Sequence, residues 1–321
     1  MIAGPRMVGP RKLHVLQGSP EWLAARRTHI TATDMAAIEG ASPWKCEQDV
    51  ADEKLNGNGV ESTLVMRVGN ALEDLIASAY AEQTGRKVRR VRGLWESATI
   101  PWAAASPDAT TAGKLLELKW TGNRSRFRDG LPEDVEIQAR WQALVADVAE
   151  VDVAALTVGD DEVRIFTVGR DAGIEHYLVG KAEDFRRRLA AGGPFAQSLE
   201  SLKRRHPADD GTEITPDSDT DAAVRALRGV RDGIDSLKAN EERLKVAIQT
   251  RMADAAYLIG DGYRVTWKRT RDVTETDWKS LATSLLTQLP EPDRAAVVGI
   301  HSTARSGPRP FRVAWGKGDT E

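Results

Sequence analysis

Leu115-Leu116-Glu117-Leu118-Lys119, read together with Ser106-Pro107-Asp108 just upstream, is the stretch on which the fold turns. Side chains alternate along a strand, so Glu117 and Lys119 project from one face while Leu116 and Leu118 point to the other. Asp108 follows a turn at the end of the apolar run Trp102-Ala103-Ala104-Ala105. Two carboxylates and an ammonium held this close suit a divalent ion beside a polarised water. Three charges in a short span are just as often a solvated edge. The leucines around Glu117 favour a site, because an unpaired charge in a central strand is costly.

Working outward, the 321 residues are 41% hydrophobic and 29% charged, with a formal net charge of -3. That supports a sizeable core and suggests more than one domain. The single cysteine, Cys46, excludes an internal disulfide framework and a thiolate zinc cluster, in keeping with a reducing cytoplasm. No run is apolar enough to span a bilayer, and the start has no signal-peptide pattern, so no membrane partner is expected. His14, His29, His176, His206 and His301 show no ligand spacing.

Residues 1–12 read as a disordered tail. Ser19-Pro20-Glu21-Trp22 opens a helix that runs through Arg26, and Thr31 or Thr33 caps a second with Met35 and Ile38 inward. A long helix over 63–84 carries Glu73 beside its apolar stripe and ends at Gly85. Strands are predicted over 87–95, 100–105 and 114–120. A helix from Pro132 then presents Ile137, Trp141, Leu144 and Val145 inward, with Gln138 and Gln142 one turn apart on its flank. A hairpin turning at Gly159-Asp160-Asp161 and a helix over 171–191 complete this part. Trp22, Trp44, Trp102 and Trp141 are expected in the core. The loop 121–131 follows the site strand with Arg124, Arg126 and Arg128, which suit contacts to backbone phosphates. Residues 193–220 read as a linker. Residues 221–258 read as one long helix with an apolar heptad seam, a possible coiled coil, and 259–321 as a small α+β module with a terminal strand at 311–315.

The ordered set of motifs points to a family. Trp22 with Arg26 is followed by Ile30-Thr31-Ala32-Thr33-Asp34, Ser42-Pro43-Trp44, Gly69-Asn70-Ala71-Leu72-Glu73, Pro101-Trp102, Ser106-Pro107-Asp108, Glu117-Leu118-Lys119 and Gln138. Over residues 18–171 the chain resembles the YqaJ-like viral recombinase and lambda exonuclease family, a branch of the PD-(D/E)xK nucleases. The resemblance implies a restriction-endonuclease-like α/β (α+β) core in residues 13–192, a central mixed sheet flanked by helices.

The same resemblance implies a catalytic set of Asp108, Glu117 and Lys119. It implies two Mg²⁺ ions, or Mn²⁺, held by Glu73, Asp108, Glu117 and the Leu118 carbonyl. Arg26 and Thr33 match a pocket for a terminal 5′-phosphate, with Thr33 where a serine is common. Gln138 matches the first glutamine of a Gln-x-Gln pattern whose second position is here Arg140. The activity implied is phage-type exonucleolytic digestion of one strand of linear duplex DNA, 5′ to 3′, leaving a 3′ single-stranded overhang. Implied partners are duplex DNA with a free end, other copies in a trimeric ring, and a single-strand annealing recombinase. The implied setting is the cytoplasm of a phage-infected or prophage-bearing bacterium. The rivals are an endonuclease or flap nuclease of the same superfamily and a non-catalytic DNA-binding scaffold.

Overall fold

The computed structural model describes residues 9–57, 63–271, 275–303, 307, 310 and 311. The chain divides into two units, Met1–Pro207 and Ala208–Glu321. The first contains, in order, β1 (Arg11–Leu13), α1 (Pro20–Thr28), α2 (Ala32–Ile38), α3 (Glu47–Asn56), α4 (Leu64–Thr84), β2 (Val88–Arg90), β3 (Leu94–Glu96), β4 (Ala104–Ala105), β5 (Ala109–Thr111), β6 (Lys114–Thr121), α5 (Glu133–Ala146), β7 (Glu150–Thr157), β8 (Arg164–Gly169), α6 (Ala172–Ala191) and α7 (Leu199–Arg205).

Local chemistry sets these boundaries. The Ser19 hydroxyl accepts the Trp22 N–H at 3.2 Å and caps α1, with Pro20 in its first turn. Helix α4 begins at Thr63, whose hydroxyl accepts from Met66, and ends at left-handed Gly85. Asp171 caps α6 by accepting the N–H groups of Gly173 and Ile174.

Five strands form a mixed sheet in the order β2-β5-β6-β7-β8, parallel only between β6 and β7. Helix α5 makes the crossover that this parallel pair requires. Leu115, Val151 and Val153 join a core with Trp141, Val145 and Phe185 from α5 and α6, while Leu116, Leu118 and Ala154 pack with Ile76 and Tyr80 of α4. Helices therefore cover both faces of the sheet. On the α4 face, Asp152 of β7 is fully buried and accepts hydrogen bonds from Tyr80 (2.7 Å), Arg86 (3.0 Å) and Thr167 (2.8 Å), with Lys114 at 3.2 Å. The expected central mixed sheet flanked by helices is the fold observed.

Some elements differ from the expectations. The strand expected over 87–95 is two strands in separate sheets: β2 joins the mixed sheet, while β3 sits between β1 and β4 in a three-stranded antiparallel sheet. Gly93 makes the break, with φ at 107° and a virtual Cβ only 2.8 Å from the Leu13 carbonyl oxygen. Part of the expected tail is ordered, since Arg11 pairs with Glu96 in that sheet. Helix α3 had no prediction. The segment read as linker carries α7, whose Ser201 hydroxyl donates to Asp49 of α3 at 2.5 Å and whose Arg204 pairs with Asp49 at 3.0 Å. Trp44 is 74% exposed and lies outside the core, whereas Trp141 is fully buried.

The second unit contains α8 (Ser218–Met252), β9 (Tyr257–Gly260), β10 (Tyr263–Thr266), α9 (Trp278–Thr287) and α10 (Glu291–His301). The long helix stops six residues short of its expected end at 258, because Ala253 takes a positive φ of 45° and Leu258 belongs to the β9–β10 hairpin. Its seam residues Val230, Ile234, Leu237, Leu244 and Ile248 are exposed. Helix α10 was not foreseen, and residues 312–315 of the terminal strand lie outside those described. Among the described residues, no helix is long and apolar enough to cross a membrane.

Replacing Gly93 by alanine adds a Cβ at a positive φ against a backbone carbonyl. We expect Gly93→Ala to lower stability by about 1–3 kcal/mol. A urea melt read by circular dichroism checks this; an unchanged midpoint would show that the β2–β3 break tolerates a side chain.

Candidate active site

Strand β6 positions the centre of the site. Glu117 shares a face with Leu115, beneath α5, and is only 2% exposed. A carboxylate there needs donors in place of water. It has three: Lys119 Nζ (2.5 Å) and Gln138 Nε2 (2.6 Å) donate to Oε1, and Gln142 Nε2 (2.6 Å) donates to Oε2. The Lys119 ammonium also donates to Gln138 Oε1 at 3.0 Å. The two glutamines, one turn apart on α5, thus bracket the carboxylate.

The β5–β6 hairpin supplies the second acid. Its register pairs Ala109 with Leu116, and one step further sets Asp108 opposite Glu117. Asp108 Oδ2 accepts the Leu118 N–H at 2.8 Å, which crosses the hairpin end and fixes the side chain. Burial, then the charge of Glu117, push the Asp108 carboxyl well above its usual range; Glu73 adds to this, while Lys119 and the Leu118 N–H oppose it. Burial works against the charged form of Lys119, but Glu117 and Asp108 outweigh it and raise its pKa. Lys119 here is a fixed positive charge and hydrogen-bond donor, not a free base.

Glu73 on α4 is close enough to act on Asp108 through its charge, yet its carboxylate is ion-paired with Arg90 of β2, which also reaches Asp74 at 3.3 Å. Among the described residues, no three His, Cys, Asp or Glu side chains already converge as a metal cage. The donor set still fits a hard divalent cation. Two carboxylates sit together, one pushed up by burial and then by the charge of the other, and the nearby Ser106 hydroxyl is buried without a hydrogen-bond partner.

A second cluster lies where α1 meets α2. Arg26 donates to the Thr33 hydroxyl at 3.2 Å and stacks 4.6 Å from the centre of the Trp22 ring. This junction is stitched to the strand leading into Asp108, because Ile30 N–H donates to the Trp102 carbonyl (2.8 Å) and Ala104 N–H to the Ile30 carbonyl (2.9 Å).

The structure therefore gathers Asp108, Glu117, Lys119 and Gln138, with Glu73 nearby, and pairs Arg26 with Thr33. The arginine loop is divided. Arg124 and Arg128 are exposed, but Arg126 is held by both carboxylate oxygens of Asp134 at 2.6 Å. Arg140 turns away from the site to Glu136 (2.7 Å) and the Gly169 carbonyl (3.0 Å). The second glutamine on Glu117 is Gln142, fully buried, whose signal in the sequence was its spacing of four from Gln138. Sequence reasoning also gave no role to the buried Asp34 or to Lys54, which it contacts at 2.6 Å.

Residues 21–149 match the family model of the YqaJ-like viral recombinase domain. The uncharacterized protein YqaJ of Bacillus subtilis is 23% identical over 266 residues, 77% of this chain and 82% of that protein. Among solved structures, the alkaline exonuclease of Laribacter hongkongensis is similar at 21% identity and a TM-score of 0.47, covering 59% of this chain and 98% of its own. A phage-related exonuclease from Haemophilus somnus is similar at 12% identity and a TM-score of 0.42, covering 51% and 96%.

The raised Asp108 pKa has a consequence for stability. The contribution of a group whose folded pKa is raised is present below its unfolded pKa and is lost as pH rises through the folded one. Above its unfolded pKa, Asp108 buried beside Glu117 therefore costs the metal-free protein stability. Asp108→Asn keeps an acceptor for the Leu118 N–H and removes the repulsion. We expect its metal-free melting temperature at pH 7.5 to rise by about 2–4 °C, corresponding to roughly 1 kcal/mol in a unit of this size. A lower melting temperature would show that the Asp108 charge is not the strained group.

Proposed function

We propose, from the premise that residues 21–149 carry a YqaJ-like viral recombinase domain, that this protein is a divalent-metal-dependent deoxyribonuclease. It degrades one strand of linear duplex DNA from its 5′ end and leaves a 3′ single strand. The observation that carries this reading is the buried Asp108–Glu117–Lys119 constellation, braced by Gln138 and Gln142 on the central strand.

Asp108, Glu117 and the Leu118 carbonyl would hold Mg²⁺ or Mn²⁺, with Glu73 joining once it leaves Arg90. The ion, when bound, supplies Lewis-acid polarisation of the scissile phosphate and an acidified water. The remaining work falls to the chain. Lys119, fixed by Glu117 and Gln138, directs its remaining Nζ–H at the attacking oxygen, and its charge stabilises the charge developing on phosphate. Arg26, with its planar fork, and the Thr33 hydroxyl take the terminal 5′-phosphate. Exposed Arg124 and Arg128 hold backbone phosphates without reading sequence. In this reading other copies complete a ring around DNA and an annealing protein takes the single strand.

End-labelled linear duplex and covalently closed circular duplex, each with Mg²⁺ or with chelator, test the proposal. We expect Mg²⁺-dependent loss of label from 5′ ends, an intact circle, and at least about a thousandfold lower rate in Asp108→Ala and in Lys119→Ala, the scale for removing a preorganised charge. Cleavage of the circle would instead make the protein an endonuclease, and full activity in either variant would remove the site.

A further inference from the structure

Lys54 is an unusual lysine. Its side chain is 2% exposed, on the last turn of α3, and no phosphate or solvent role can be read from its surroundings. Its ammonium donates to Asp34 Oδ2 at 2.6 Å and to the backbone carbonyl of Arg26 at 2.7 Å. The first partner lies in the opening turn of α2, one residue after Thr33; the second is the carbonyl of the arginine whose guanidinium meets Thr33. Asp34 completes the junction by accepting from the Thr31 N–H (2.9 Å) and the Thr31 hydroxyl (2.7 Å).

Other charges around Asp34 are accounted for. Lys45 lies 3.8 Å from Oδ1 but is ion-paired with Glu53, and Oδ1 itself has no hydrogen-bond partner. Burial disfavours the Asp34 charge, yet Lys54, Lys45 and Arg26 together hold the carboxyl well below its usual range. Beside Lys54, the Leu55 carbonyl accepts from Arg27 at 3.0 Å, so the end of α3 grips the end of α1 at two successive residues. The Arg26 carbonyl also takes the long cap bond from the His29 N–H at 3.4 Å, and the buried Lys54 ammonium is the stronger donor to it.

We propose that Lys54 is a positioning residue for recognition of the DNA end, setting Arg26 against Thr33 by joining the last turn of α1 to the first turn of α2. This rests on the reading of Arg26 and Thr33 as the pocket for a terminal 5′-phosphate. Lys54 touches no substrate in this scheme. It determines whether the guanidinium and the hydroxyl face one phosphate together.

The test measures initial digestion rates of the full chain with Mg²⁺ on otherwise identical linear duplexes bearing 5′-phosphate or 5′-hydroxyl ends. Lys54→Met keeps the length of the stem and removes the donor. We expect the preference for 5′-phosphate to fall by about tenfold or more, the scale of one lost charge-assisted hydrogen bond, while the rate on 5′-hydroxyl ends stays near wild type. In an Arg26→Ala background, Lys54→Met should reduce the preference no further. A role confined to holding the fold would slow both substrates alike and would add to Arg26→Ala. If Lys54→Met does not fold, Asp34→Asn, nearly the same shape, removes the charge that Lys54 meets and is expected to give the same loss of preference. Wild-type protein without any preference would sink the pocket and this proposal with it. A wild-type preference that persists in the folded variant would sink the role of Lys54 alone.

Discussion

A carboxylate buried on the central strand is the constraint to which much of the first unit answers. Glu117 has traded water for an ammonium and two amides, and each donor comes from a defined place: Lys119 two residues along β6, Gln138 and Gln142 from successive turns of α5. That demand ties the position of α5 over the sheet to the charge beneath it. Removing any one donor leaves acceptor capacity unmet in a setting where the desolvation penalty is large. The same burial makes Asp108 reluctant to ionise, so the site stores electrostatic repulsion that a bound cation would relieve.

The site also depends on elements far from it in the chain. Ile30 is stitched to Trp102 and Ala104, and the Trp141 indole of α5 donates to the carbonyls of Ile30 (3.3 Å) and Ala104 (3.2 Å). One buried tryptophan thereby fixes the α1–α2 junction, the strand leading to Asp108 and the helix bearing both glutamines in a common frame. The acid pair and the Arg26–Thr33 pair proposed to take metal and phosphate are held in constant relation by this rigid connection.

Much of this was legible in the sequence where local chemistry governs. Ser19-Pro20, Gly85 and Asp171 mark helix ends through caps that act within a few residues, and the alternation around Glu117 gave both its face and its companion Lys119. What escaped notice depends on tertiary pairing. The run over 87–95 looks like one strand because nothing local reveals that Gly93 passes against the Leu13 carbonyl. Helix α3 is acid-rich and weakly patterned; it is held by partners such as Arg188 on Glu47 and Arg204 on Asp49 that lie more than a hundred residues away. Lys54 had no local signal at all, since its two partners are 20 and 28 residues distant. The departure from the Gln-x-Gln pattern at Arg140 has a spatial reason, since position 140 faces the neighbouring strand end and position 142 faces the acid. For the long helix, heptad spacing continued past Met252, and backbone reversal at Ala253 overrode it.

The sheet carries a second buried acid whose placement has an effect on assembly. Asp152 pairs in register with Leu116, next to Glu117, but projects toward α4, where Tyr80, Arg86, Thr167 and Lys114 receive it. Neighbouring strands thus send one carboxylate each to opposite sides. Sliding β6 past β7 by one residue would turn Glu117 toward Ile76 and Tyr80 and take it from its amides, stranding a charge in an apolar layer. Hydrophobic patterning alone would tolerate such a slip poorly; the two acids make it prohibitive. They act as alignment keys, so a nascent chain that docks these strands in the wrong frame gains too little to stay there.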